Sequence, residues 1–320
     1  MLSRIHAMKF VAVTPPPPSG TTRADMPAPA QRPRFNPTII LLVGVMAVSS
    51  GAIFVRLAES PPLVTAVWRL TFATALLLPF ALWKAGAELR RLTVRQVGLG
   101  ALAGLFLALH FATWISSLSF TSVANSVVLV NTAPVWVALL TPWLTRERVS
   151  RRAWLGIAAS VVGAVIIGCG DFAGGSRALI GDALALTGSF ALALYLLLGR
   201  KLRAALSLPA YLLVCYGSAT VLLWLAVLAS GQNFSGFNLK TWGALLGMAV
   251  VSQHLGHSSY NWAIKYFSAG FIAVCLLGEP VLGSLLAWWL LGEALTWGKA
   301  LGGMIILAGI YLTATERREN

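Results

Sequence analysis

Charge is what this sequence has least of. Only 10 of its 320 residues are acidic, and charged residues of both signs together make up 11%. A water-soluble domain carries about 25%, so a soluble globular fold is excluded by composition. Cysteine is also scarce. Cys169, Cys215 and Cys275 lie far apart, form no Cys-x-x-Cys pair, and each sits in or at the end of an apolar run. That spacing excludes a disulfide framework and predicts helix-packing roles. No glycine fingerprint for a dinucleotide is present: Gly98, Gly100 and Gly104 have the wrong spacing and follow no strand. Gly100-x-x-x-Gly104 predicts close helix packing instead. The first 36 residues lack a long apolar run. Phe10 to Val13 is too short for a secretory signal, and Pro15 to Pro18 with small polar neighbours predicts a disordered tail over 1–36. Met8 and Met26 are alternative starts within it.

Apolar residues are abundant, at 58%. They are gathered into runs long enough to cross a hydrocarbon core of about 30 Å at 1.5 Å per residue. Ten spans are predicted: 37–56, 62–83, 96–117, 121–144, 152–170, 180–199, 207–230, 241–262, 268–291 and 297–315. Pro37 and Pro62 stand near the starts of the first two, where a missing N–H costs least. The fold class expected is therefore all-α and membrane-integral. Residues 37–170 form one five-helix half, 178–315 the second, and 316–320 a short tail.

The net charge of +14 is distributed by side. With the N-terminus placed in the cytoplasm, 19 of the 24 Lys and Arg residues fall in inside segments and 4 outside, with Arg69 inside a span. Such alternation over ten spans follows the positive-inside rule. A missed helix would scramble it. The expectation is a multi-pass protein of the cell (inner) membrane with both termini cytoplasmic. The lipid bilayer, whose anionic leaflet attracts those cations, is its large partner. No nucleic-acid partner is expected, because no basic run carries interleaved exposed aromatics.

The halves superimpose at a constant offset of 146. Pro134 falls on Pro280, Glu147 on Glu293, Leu155-Gly156 on Leu301-Gly302, Gly163 on Gly309, Trp114 on Tyr260 and Ser122 on Ser268. Five spans per half is an odd number, so the second half enters from the opposite side. The result is an inverted repeat, a design that puts a substrate site near the midplane between the halves. Several motifs recur in order. They are His110-Phe111-Ala112-Thr113-Trp114 with Thr121-Ser122-Val123-Ala124, Pro134 with Arg146-Glu147-Arg148, Tyr260-Asn261-Trp262-Ala263, and Gly278-Glu279-Pro280-Val281 with Trp288 and Leu291-Gly292-Glu293-Ala294-Leu295. Over about 37–315 the chain resembles the EamA-type transporters of the drug/metabolite transporter superfamily. The resemblance implies ten helices in two inverted five-helix EamA-like repeats around a central cavity, cytosolic termini, and export or exchange of small metabolites.

Glu279 is the sharpest candidate for coupling. It lies near the middle of span 268–291, where a bare charge costs about 2.5–3.5 kcal/mol on insertion scales. A midplane acid can exchange a proton between two access states. A structural role beside Pro280 is the competing reading. The repeat mate of Glu279 is Ala133, which argues against a symmetric two-acid mechanism. Pro134 and Pro280 interrupt corresponding helices and are read as opening backbone toward a cavity. Arg69 either pairs with Glu279 or an anionic substrate, or snorkels to headgroups. His110 and Trp114, four apart, share a helix face with Asn125 and Asn131 nearby, and His254, His257 and Asn261 are placed on one face of the eighth span. Hydrogen bonding and cavity lining are the roles expected of them. Substrate binding or coupling is thus assigned to Glu279, Arg69, His110, Trp114, Asn131, Tyr260 and Asn261, with Pro134 and Pro280 as interruptions. No metal, cofactor or catalytic group is expected. The function expected is secondary transport of a small-molecule substrate such as an amino acid, coupled to protons or a counter-solute. A non-transporting scaffold, a lipid scramblase and a membrane enzyme are the alternatives.

Overall fold

The computed structural model describes residues 35–121, 123–144, 148–168, 176–291 and 295–315. The tail expected over 1–36 lies outside them through residue 34. So do the tail 316–320, Cys169, Ser122, and Glu147 and Glu293 themselves.

Every regular element among the described residues is helical. The first half holds α1 (Pro37–Ser49), α2 (Gly51–Leu57), α3 (Pro62–Leu89), α4 (Val94–Ser117), α5 (Val123–Val130), α6 (Ala133–Leu144) and α7 (Arg151–Gly168). The second holds α8 (Ser176–Arg203), α9 (Leu208–Ser230), α10 (Leu239–Gly247), a π-helical stretch (Met248–His257), α11 (Ser258–Ala263), α12 (Ala269–Leu276), α13 (Gly278–Leu291) and α14 (Trp297–Thr315). In lipid, each backbone N–H and C=O must be satisfied within its own segment, which is why apolar runs of this length become helices. Their starts are marked by polar caps. Asn36 accepts from the Thr38 N–H, Ser207 from Ala210, Asn238 from Thr241 and Ser268 from Phe271. Thr93 and Gln96 form a reciprocal capping box.

Among the described residues, eight helical segments are long and apolar enough to cross a membrane, so the chain is a multi-pass membrane protein. The other two of the ten predicted spans are present as helix but fall outside that set. One is α7, with 18 residues and two arginines in its first turn. The other is the α10–π–α11 segment, broken in the middle by wider turns.

The halves meet through antiparallel contacts between equivalent helices. Gly156 approaches the Gly309 carbonyl, and Gly163 approaches the Gly302 carbonyl, so α7 and α14 run in opposite directions. These four glycines are exchanged by the 146-residue offset. Ser160 Oγ donates to the Ile306 carbonyl, its own repeat mate. In α3 and α9, Thr74 and Thr220, again 146 apart, bond hydroxyl to hydroxyl at 2.9 Å. A pseudo-two-fold axis crosswise to the helices passes through both places. Gly100 and Gly104 let α4 pack onto α9; a Cβ on Gly104 would lie 2.5 Å from the Cys215 carbonyl oxygen.

Candidate functional site

Corresponding spans break at corresponding places. α5 ends at Val130 and α6 restarts at Ala133; α12 ends at Leu276 and α13 restarts at Gly278. Pro134 and Pro280 each sit in the first turn of the restarted helix, where their missing N–H deletes no helical bond. Between these breaks lies a cavity of about 30 Å³. That is room for roughly two waters. The first half lines it through Val48, Arg69, His110, Phe111, Trp114, Val130, Asn131, Ala133 and Pro134. The second contributes Leu192, His257, Tyr260, Ala273, Leu276 and Glu279.

Arg69 is 1% exposed, so it does not snorkel to a headgroup region. Its Nε donates to Gln253 Oε1 at 2.8 Å, and its guanidinium lies 4.0 Å from the Phe111 ring centre. Its Nη2 has no hydrogen-bond partner. Packing explains the depth: α3 is held between α9 and the π stretch, and the widened turns of that stretch place Gln253 opposite Arg69. Glu279 is half-buried on the same cavity and makes no ion pair with Arg69.

His110 donates its Nδ1–H to the Gly188 carbonyl, 2.9 Å away, and its ring stacks parallel to Trp114. Trp114 is 5% exposed, and its indole Nε1 has no partner. His257 packs edge-on against Phe111 and hydrogen-bonds Tyr260 Oη through Nδ1. Asn131 donates its amide to the Val127 carbonyl of its own helix at 2.8 Å.

The structure therefore brings Glu279, Arg69, His110, Trp114, Asn131, Tyr260 and Pro134 to one cavity. Asn261 stands behind its wall. Its Nδ2 donates to Tyr195 Oη and to the His257 carbonyl, which ties the Tyr195 side chain to the backbone of the π stretch. Pro280 is buried beside Glu279 without lining the cavity. His254 does not join His257 there. Its Nε2 meets the Ala73 carbonyl at 3.0 Å, because π winding aligns residues four to five apart, not three. Gln253 is absent from the sequence-based assignment. Its only signal there is a polar residue four before His257 on an apolar segment.

A second cavity, of about 230 Å³, lies along the same helices toward the α2–α3 and α4–α5 turns. Val55, Arg56, Ser60, Thr65, Ile115 and Ser119 are among its walls. Trp114 stands beside Ile115 between the two spaces, with its ring against Gly51 at the α1–α2 break. At the other end of the bundle, arginines of the last turn of α8 cap the C-terminal carbonyls of α11. Arg203 donates to Asn261 and Leu206 carbonyls, and Arg200 to Ile264.

A family model described as the EamA-like transporter family matches this chain twice, over residues 37–169 and 179–315. An uncharacterized transporter of Archaeoglobus fulgidus is 28% identical over 296 residues, covering 88% of this chain and 99% of that protein. A probable amino-acid metabolite efflux pump of Salmonella typhimurium is 26% identical over 213 residues, covering 63% and 71%. A solved crystal structure of a protein superimposes with a TM-score of 0.73 at 18% identity, covering 89% of this chain and 99% of that one. That likeness concerns the fold.

Proposed function

The chain belongs to the EamA-like transporter family, and from that premise we propose that it is a secondary transporter moving small metabolites, amino acids or related solutes, by alternating access. Ten spans, as two inverted five-helix repeats over 37–170 and 178–315, rock about a midplane site. Both termini face the cytoplasm, and the membrane is the inner (cell) membrane. Export or exchange is driven by the proton gradient or a counter-solute.

One observation carries this reading: a mostly apolar cavity holding a few buried polar groups, walled by both halves at two matching helix breaks. Rocking one half on the other changes which side of such a site is sealed. The second cavity supports an exit route toward the α2–α3 turn, with Trp114 between it and the site. The arginine caps on α11 support closure of the opposite end. Substrate contact is assigned to Glu279, Arg69, His110, Trp114, Asn131 and Tyr260, and a bracing role to Asn261. The efflux-pump relative favours amino acids as the solute class.

The test is flux. Purified protein in liposomes loaded with a labelled amino-acid mixture is expected to release label faster than empty liposomes, and faster still with a pH gradient or an external solute. Release no faster than from liposomes holding an unrelated membrane protein would end the transporter reading.

A further inference from the structure

Two residues that line the central cavity each carry a buried N–H donor with no acceptor among the described residues. The donors are Arg69 Nη2 and Trp114 Nε1, on side chains 1% and 5% exposed. Leaving one such donor buried and unpaired is unfavourable, and more so for a charged group. The Arg69 guanidinium lies over Phe111, and Phe111 is three residues before Trp114, on the same face of α4. Resting on the transporter reading above, we infer that Arg69 Nη2 and Trp114 Nε1 form the subsite that grips a carboxylate, and that the substrates are apolar monocarboxylates with an α-ammonium group.

The chemistry of the other walls narrows the class. A guanidinium N–H and an indole N–H are both donors without acceptor capacity, so they match an anion and repel an amine. A carboxylate on Arg69 gains a charge-assisted bond, the strong kind. It also gives the buried cation a counter-charge that Glu279 does not supply by direct pairing. Glu279 on the opposite half is an acceptor, suited to the ammonium. The rest of the lining is mostly apolar, and its polar side chains already bond to protein: His110 to the Gly188 carbonyl, Asn131 to the Val127 carbonyl, and His257 to Tyr260. Dicarboxylates and phosphate esters would leave an anion unpaired there. The cavity has to widen from about 30 Å³ to admit any such molecule, so capture goes with opening of the halves.

The experiment measures binding to the detergent-purified full chain by titration calorimetry. The probes are L-leucine, L-leucinamide, 4-methylpentanoate and 3-methylbutylamine, which share one apolar body. L-Leucine is expected to bind best and 4-methylpentanoate next. L-Leucinamide and 3-methylbutylamine should be at least about tenfold weaker than L-leucine. Arg69→Lys keeps the charge but removes Nη2, and should cut the leucine-over-leucinamide preference at least about tenfold. Trp114→Phe keeps an aromatic ring but loses the N–H together with the five-membered ring. The lost packing weakens both probes alike, so the leucine-over-leucinamide preference isolates the N–H and should fall about threefold to tenfold. Trp114→Phe carries the decision should Arg69→Lys not give folded protein. Equal affinity for L-leucine and L-leucinamide overturns the inference. So does an unchanged preference in Trp114→Phe, and so does failure of both carboxylates to bind. Flux of the labelled mixture is read separately. Flux with no carboxylate preference sinks only this subsite, while carboxylate-selective binding without flux sinks only the transporter reading.

Discussion

Replacing Gly163 by alanine probes the packing that joins the two halves. A Cβ on Gly163 would lie 2.6 Å from the Gly302 carbonyl oxygen and 2.9 Å from Ile306 Cγ1, against ordinary contacts beginning at 3.4 Å. The nearest atom is backbone, so it cannot swing aside. Helices α7 and α14 must therefore separate by about 0.8 Å at that level, the difference between 3.4 and 2.6 Å. A gap of 0.5–1 Å forfeits about a quarter to a half of each neighbouring dispersion contact. Lipid offers these helices no hydrophobic drive to reassociate, so close packing is what holds them. Overpacking costs about 1–3 kcal/mol. In thermal unfolding of the purified protein, read by labelling of the buried Cys215 thiol, that is a fall of roughly 2–6 °C. Gly302→Ala should behave alike, since its Cβ would meet the Gly163 carbonyl at 2.5 Å. The double variant should cost less than the two singles together, because one separation relieves both clashes. Gly217→Ala, whose Cβ would have no neighbour within 4 Å, is the control and should not lose stability. Gly163→Ala melting at or above the parent temperature would refute the reasoning, and additive singles would refute the shared contact.

Glu279→Gln should express normally yet abolish or strongly slow net transport in liposomes; normal flux with an unchanged pH profile would remove Glu279 from coupling. Gln253→Leu should destabilise by about 1–3 kcal/mol in the same unfolding assay, because it strips the acceptor from Arg69 Nε. Gln253→Glu, which keeps an acceptor, should be milder. At the surface, the Lys240 ammonium, 2.7 Å away, holds the Glu59 carboxyl below the usual carboxylate range. The lowered group contributes stability above its unfolded pKa and loses it as pH falls through the folded value. Glu59→Gln should thus differ from the parent only slightly at neutral pH and low salt, and not at all near pH 2 or in high salt. A gap that persists in acid would contradict the pairing.

The long-range architecture was readable because lipid imposes its rules locally. An apolar run of about twenty residues has no other satisfied backbone state, and the 146-residue offset appears as Pro on Pro and Gly on Gly. The helix breaks at Pro134 and Pro280 were readable for the same reason. The site was partly readable. Glu279, Arg69 and His110 are polar residues in apolar segments, and such residues face protein. Their depth and pairing were less so. Its place near the start of span 62–83 puts Arg69 within reach of headgroups, yet α9 and the π stretch enclose it. The π stretch itself has no local signature. It rotates His254 out of line with His257 and brings in Gln253, a pairing 184 residues long that no spacing rule addresses.

Composition and periodicity alone were enough to put this polypeptide in a bilayer as two related helical halves, since solvent choice and helix formation depend on each residue and its near neighbours. Which donors end up unpaired beside Glu279, and which side of each broken helix faces the cavity, came from the meeting of segments distant in the chain. Those contacts follow from the packing of one half against the other, where a change of one residue per turn redirects a side chain.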